Sequence, residues 1–451
     1  MALFKIYALH ALTDEKTVFY YDNEKSTLVD ENGKDVIEQL NPQQYNDAEV
    51  VSKDRPGTKK DIKKLKISMG LQCNYECTYC NQRFVPRAES TNLHDITPFM
   101  STLDEWLKEP PDVIEFWGGE PLVYWKTLKP LAEALRAKFP DTAFSLITNG
   151  SLLDDEKNAW LEDMGFGIGL SHDGPGQHVR GPDPLQDPEK KMAILDLWYR
   201  LGPKGRMTIN AMVNKDNDSR GEIEDYLVKE FGENVVIGEG AFIDPYDEGG
   251  VASSLPGTKK HYEFRNKSLV DLRNGKAMRF TITQQKISDF IQSIVTARPA
   301  SAVGQKCSMD RSDNMAVDLN GNVLTCQNVS SAAVGPNGES HKIGHVSELD
   351  KVALKTSTHW SQRSECPNCP VLQICKGSCM FLDGPLWEIG CNNSFSDNIP
   401  YLAGALEIMT GFLPFYIEGP QRRDRFDIFG LVEGVPEESE DKNKIIPIVP
   451  V

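Results

Sequence analysis

Three thiols fall within eight residues, at Cys73, Cys77 and Cys80, directly after a short apolar stretch from Leu65 to Met69. Soft sulfur ligands select iron-sulfur clusters, zinc or Cu(I), and three thiolates at this spacing can wrap one small cluster. The next cysteine along the sequence is Cys307. A 4Fe-4S cluster held here would therefore keep one iron open to a ligand that is not protein. The plainer reading of such a run is a zinc knuckle or a disulfide pair.

Further groups with chemical potential follow at intervals. In Gly118-Gly119-Glu120-Pro121 the glycines let backbone approach a ligand closely, and Glu120 can accept hydrogen bonds from an ammonium; taken alone the motif is only a turn. Thr148-Asn149-Gly150 and Ser171-His172-Asp173-Gly174-Pro175, with Arg180 beyond, place polar side chains after apolar runs. His172 reads as structural, since the sequence pairs it with no nucleophile or second metal ligand. A second cysteine constellation runs Cys307-x13-Gly321-x4-Cys326, then Cys366-x2-Cys369-x5-Cys375-x3-Cys379-x11-Cys391.

Strands and helices in alternation must position these groups. Strands are expected at Leu65 to Ser68, Val113 to Trp117, Phe144 to Thr148, Phe166 to Ser171, Met207 to Val213 and Val235 to Gly240. Helices are expected between them at Pro98 to Lys108 (capped by Thr97), Trp125 to Phe139, Asp154 to Met164, Glu189 to Tyr199 and Gly221 to Phe231. That alternation implies an α/β fold with a parallel sheet and right-handed crossovers, and in parallel barrels the chemistry sits at strand C-termini.

The organisation reads as five segments. Residues 1-62 form short strands, a small β-rich segment that covers the core or takes up a peptide as an added strand. Residues 63-240 are the barrel, and 241-300 a linker with two bridging helices, Lys259 to Asn274 and Thr283 to Ala297. Residues 301-395 hold the cysteine-rich domain, with Asn320-Gly321-Asn322 turning a hairpin that carries Cys326. Residues 396-451 supply a helix, Ile399 to Met409, and a loose tail with a charged stretch at Glu437 to Lys444 and a proline-rich end at Ile445 to Val451.

The 451 residues carry a net charge of −17 without a basic block, which argues against nucleic acid as the main partner. No stretch is long and unbroken enough to span a bilayer, and the first residues do not read as a signal peptide. A cytoplasmic protein is expected, in which ten cysteines serve as metal ligands rather than disulfides.

The C-x3-C-x2-C loop with Tyr79 before its last cysteine resembles the radical S-adenosylmethionine (SAM) superfamily. Gly-Gly-Glu-Pro one strand-helix unit later resembles the motif that holds the SAM amino group there. The seven later cysteines are similar, interval by interval, to the SPASM domain, which binds twin auxiliary iron-sulfur clusters. The resemblance covers about residues 62 to 395. It implies a partial (β/α)6 TIM-like barrel and three iron-sulfur clusters. Cys73, Cys77 and Cys80 would hold the cluster that binds SAM; Cys307, Cys326 and Cys379 the first auxiliary cluster; and Cys366, Cys369, Cys375 and Cys391 the second. The three-cysteine auxiliary cluster would then have an open iron, a non-thiolate ligand or a smaller core. Beside Tyr79, Gly118, Gly119, Glu120 and Pro121, the resemblance puts Thr148 and Asn149 near the cofactor, Ser171 and Arg180 at the SAM carboxylate, and Asn210 and Val213 at ribose and adenine.

By resemblance the function is that of a peptide or protein maturase. SAM is cleaved to a 5′-deoxyadenosyl radical, and hydrogen is taken from a ribosomally made precursor peptide. A reducing partner such as flavodoxin or ferredoxin is implied, and a separate leader-peptide-binding protein is a further partner, because residues 1-62 look too short for a winged-helix leader-binding domain. A sulfatase maturase of the formylglycine-forming kind is the nearest rival, but it carries a catalytic Asp where Gln327 stands here. A non-catalytic zinc-ribbon scaffold leaves Gly-Gly-Glu-Pro without a task.

Overall fold

A computed structural model describes residues 2–431 apart from 11, 14, 38–42, 89–90 and 336–337. The charged stretch at 437–444 and the end at 445–451 lie outside the described residues.

The chain opens with β1 (Leu3–His10), β2 (Lys16–Asp22) and β3 (Thr27–Val29), an antiparallel meander. Six parallel strands follow: β4 (Lys64–Ser68), β5 (Val113–Trp117), β6 (Ala143–Thr148), β7 (Phe166–Ser171), β8 (Met207–Asn210) and β9 (Ile237–Glu239). Helices Ile96–Trp106, Trp125–Lys138, Asp155–Asp163, Pro188–Leu201 and Arg220–Phe231 connect them. In β5 to β8 burial alternates along the strand. One set of side chains packs under the helices, and the other, including Glu115, Asn210 and Ser171, faces a polar interior. This is the α/β architecture the alternation predicted.

Several boundaries differ from expectation. Thr97 is not the cap of the first helix. A 3₁₀ turn at Leu93–Asp95 precedes that helix, and Asn92 and Asp95 form a capping box around the turn. Strand β8 ends at Asn210, so Val213 lies beyond it.

The cysteine-rich region does not stand apart from the barrel sheet. Strand β10 (Asn314–Asp318) pairs parallel with β4, and β11 (Asn322–Leu324) and β12 (Lys342–His345) continue the sheet to nine strands. The Asn320-Gly321 turn is there as predicted, with Gly321 at φ +79°, and its hairpin is one edge of the barrel.

The largest departure is at the C-terminus. The last helix runs over Gly384–Thr410, fifteen residues earlier than expected, and includes Cys391 and Pro400. Polar, weakly helical residues such as Asn392, Asn393 and Ser394 hide it from propensity. Burial of Ile399, Tyr401, Leu402, Ala405 and Leu406 on the meander and on helices Gly257–Arg273 and Thr281–Val295 overrides that weakness. Truncating a fully buried Leu402 to Ala would cost about 2–5 kcal/mol. Beyond the helix the expected loose segment is instead β13 (Phe412–Glu418), which pairs antiparallel with β1 and closes that edge.

Candidate active site and cysteine pockets

Cys73, Cys77 and Cys80 sit on the loop leaving β4, and their sulfurs lie close enough to raise one another's pKa. Burial is the larger cause, pushing the Cys77 thiol up to about 11 against the pull of Arg180. The loop is braced by its neighbour strand. Gly119 N donates to Gly70 O at 3.0 Å, and Glu120 N to Gln72 O at 2.9 Å. A Cβ on Gly119 would fall 2.4 Å from Gln72 O, so glycine is required by the backbone of the cysteine loop. Asn74 is tied to the end of β6 through Asn149 Nδ2 at 2.9 Å and Ser151 Oγ at 2.8 Å.

Glu120, expected to accept from an ammonium, is also engaged by protein donors. It is 1% exposed. Its Oε1 accepts from Leu122 N at 3.0 Å and Thr148 Oγ1 at 2.7 Å, and its Oε2 from Asn149 N at 2.7 Å. The carboxylate thus knits the ends of β5 and β6, with Thr148 and Asn149 as its partners, while Pro121 opens a short 3₁₀ turn behind it.

Across the loop stands a buried group that the motif reading only grazed. The Tyr79 hydroxyl donates to Asp173 Oδ2. Arg180 Nη1 lies 3.0 Å from the Tyr79 hydroxyl and 3.4 Å from Asp173 Oδ1. Burial keeps the Tyr79 phenol protonated despite Arg180. Arg180 Nε is buried with no partner, a donor left over for another acceptor. Asp173 also accepts from Met212 N at 2.9 Å, which fixes the stretch after β8. Its signal lay in the same Ser-His-Asp-Gly-Pro run that supplied Ser171. His172 is structural as read: Nε2 is 3.0 Å from Asp183 Oδ1, Nδ1 accepts from Gly174 N, and the ring stacks on Tyr226.

Ser171 ends β7 opposite Asn210 of β8. The Asn210 amide lies between Gly169 and Gly238, where Cβ atoms would come within 2.5 and 2.6 Å of it. Val213 has no exposed surface, packs in the main core and bridges to Phe242. Its side chain is therefore not available to an adenine, which corrects that assignment.

The other seven cysteines form two groups. Cys326 feels Cys307 and Cys379, and burial first, then these neighbours, pushes its thiol up to about 12. Tyr246 donates to Cys379 Sγ at 2.9 Å. Cys366, Cys369, Cys375 and Cys391 line one small cavity with Trp387, Phe395 and Arg425. Burial and the neighbouring thiols raise all three of Cys366, Cys369 and Cys375. Arg425 Nη2 reaches Cys391 Sγ at 3.3 Å. No sequence signal marks Arg425, which lies 34 residues past its cysteine. Among the described residues no three His, Cys, Asp or Glu side chains converge tightly enough for a single metal ion. The donor set is purely thiol and surrounds a void, which suits a multi-iron cluster; its thiols must lose their protons on binding.

Residues 67–227 match the Radical SAM superfamily. A radical SAM cyclopropyl synthase, TigE, of Paramaledivibacter caminithermalis is 24% identical over 36% of this chain and 38% of its own. An S-adenosylmethionine-dependent nucleotide dehydratase of Pseudoalteromonas ulvae is 28% identical over 34% of this chain and 56% of its own. The chain thus spans less than two thirds of either relative. In fold it is similar to native anSMEcpe with bound AdoMet, at TM-score 0.52 and 20% identity over 76% of this chain and 99% of that one. The same protein has been solved with AdoMet and a Cp18Cys peptide, at TM-score 0.51. Among the described residues no helix is long and apolar enough to cross a membrane. The matched residues 67–227 form the parallel sheet and helices that carry the three-cysteine loop, and over that stretch the chain is similar to the radical SAM superfamily.

Proposed function

We propose that this protein is a radical SAM enzyme that modifies a peptide or protein, a ribosomally made precursor in particular. The observation that carries the reading is the division of ten cysteines into three groups of three, three and four, each within electrostatic reach of its own members. Cys73, Cys77 and Cys80 would hold the 4Fe-4S cluster that binds SAM. Cys307, Cys326 and Cys379, and the four remaining cysteines, would hold the two auxiliary clusters. When bound, these groups supply a 5′-deoxyadenosyl radical able to take hydrogen from an unactivated carbon.

The chain's own residues bind and orient. Arg180, positioned by Tyr79 and Asp173, offers its unpartnered Nε with Ser171 to the SAM carboxylate. The amine is left the Gly118-Gly119 backbone and Glu120 Oε2, which accepts only from Asn149 N among the described residues. Asn210 faces the interior where ribose would lie. Gln327 follows Cys326 with its amide oxygen 3.6 Å from that sulfur, and an amide cannot serve as a carboxylate base, which disfavours the formylglycine-forming reading. A small electron donor such as flavodoxin or ferredoxin is the reducing partner. β13 covers the β1 edge, so a peptide strand could add only at the outer edges of β13 or β3; a separate leader-binding protein is a further partner.

Anaerobically prepared protein is expected to hold roughly 12 iron atoms per chain, three clusters of four. Changing Cys73, Cys77 and Cys80 together to Ala should abolish 5′-deoxyadenosine formation with a chemical reductant and leave about eight irons. Undiminished cleavage by that variant, or stoichiometric zinc in the wild type, refutes the proposal.

A further inference from the structure

The segment Asp244 to Gly250, assigned no chemistry by its sequence, touches both cysteine systems. Ile243 N donates to Val213 O at 3.0 Å, anchoring it to the barrel. Asp244 Oδ1 accepts from Ser378 Oγ at 2.7 Å, and its Oδ2 lies 3.3 Å from Lys306 Nζ. These partners are the chain neighbours of Cys379 and Cys307. Tyr246 donates to the Cys379 sulfur itself at 2.9 Å. Pro245 packs under Gly390, next to Cys391. At the far end Gly249 lies so close to Thr78 O, between Cys77 and Cys80, that a Cβ would fall 2.1 Å from it. One short strap is therefore fixed at the SAM-cluster loop, at Cys379 and the neighbour of Cys307 in the first auxiliary group, and at the helix of the second.

Resting on the function proposed above, we propose that Tyr246 is a positioning residue that sets the reduction potential of the first auxiliary cluster through its hydrogen bond to Cys379. A hydrogen bond to a ligand sulfur stabilises the reduced, more negative cluster and so raises its potential. Asp244 holds the phenol in place by bracing Ser378 and Lys306 on either side. Three thiolates already carry less charge than four. The Tyr246 donor moves the same cluster further in the same direction, and the second group, which has four thiolates, receives no donation from it.

The test uses holoenzyme in the Cys73, Cys77 and Cys80 to Ala background, so that only the auxiliary clusters are titrated by electron paramagnetic resonance. Tyr246→Phe is expected to lower one of the two auxiliary potentials and leave the other in place. A tenfold change in the reduced-to-oxidised ratio would read as 59 mV for one electron. Both potentials unchanged, or both shifted equally, overturns the proposal. If the Phe variant fails to assemble the first cluster, 3,5-difluorotyrosine at position 246 decides. That side chain keeps the ring and is a stronger donor, so the same potential should rise, and no shift overturns the assignment. Wild-type protein with only about four irons would sink the parent reading instead.

Discussion

Arg425 Nη2 donates to the sulfur of Cys391 at 3.3 Å and to Asn392 Oδ1 at 2.8 Å, from a segment that follows the last strand. Its guanidinium also lies 4.7 Å from the Phe395 ring centroid. A buried cation beside four thiols is what a thiolate-rich cluster needs, because it offsets charge that burial penalises. Under the three-cluster reading, Arg425→Ala should lose about a third of the iron and cost about 1.5–3 kcal/mol of stability, as expected for a hydrogen bond to a charged group. Iron per chain and chemical denaturation check this. Full iron retention with unchanged stability would remove Arg425 from the cluster site.

The second expectation concerns the buried Asp397, 4% exposed, on the long helix. Its Oδ1 pairs with Arg220 of the barrel, and its Oδ2 with Lys286 at 2.7 Å. Burial alone would raise its pKa, but the two cations outweigh this and hold the carboxyl well below the usual carboxylate range. With the folded pKa depressed, the stabilisation is complete above the unfolded value near 3.9 and fades as pH falls below it toward the folded value. Asp397→Asn should therefore cost about 3–5 kcal/mol at pH 7, since it leaves two buried cations unpaired. The gap to wild type should stay constant from pH 7 to about 5 and narrow below about 4. A gap that widens on acidification would contradict this assignment of charge.

Sequence legibility followed physical locality. The parallel βα units and the Asn320-Gly321 turn are local patterns, and each lies where it was expected. What sequence could not carry was decided by contacts distant along the chain. Glu120 caps the turn that follows it through Leu122 N, a local bond, while its partners Thr148 and Asn149 come from 28 and 29 residues along the chain. Val213 was counted as a strand residue facing the ligand, but β8 ends three residues earlier and the chain turns it into the core. Strand β13 reads as a broken apolar stretch until β1 provides its partner. The strap at 244–250 carries Pro245, Gly249 and Gly250, which read as a loop although its end opens the short helix Glu248–Ala252, and they say nothing of what the segment touches.

The last expectation separates the glycines that the cysteine loop needs from those it does not. Gly119→Ala would place a Cβ 2.4 Å from Gln72 O and 2.8 Å from Leu71 O, both backbone atoms that cannot swing aside. The loop bearing Cys73 must then move, and the hydrogen bonds from Gly119 N and Glu120 N that brace it are lost or stretched. Two such bonds at about 1 kcal/mol each, added to the steric shift, are enough to displace cluster ligands without unfolding a nine-stranded sheet. Gly119→Ala is therefore expected to lose 5′-deoxyadenosine formation and about a third of the iron while the auxiliary signals persist. Gly304→Ala, where a Cβ meets nothing within 4 Å, should keep both. Equal losses in the two variants, or none at Gly119, would show that the close approach of Gly119 to Gln72 does not hold the cysteine loop.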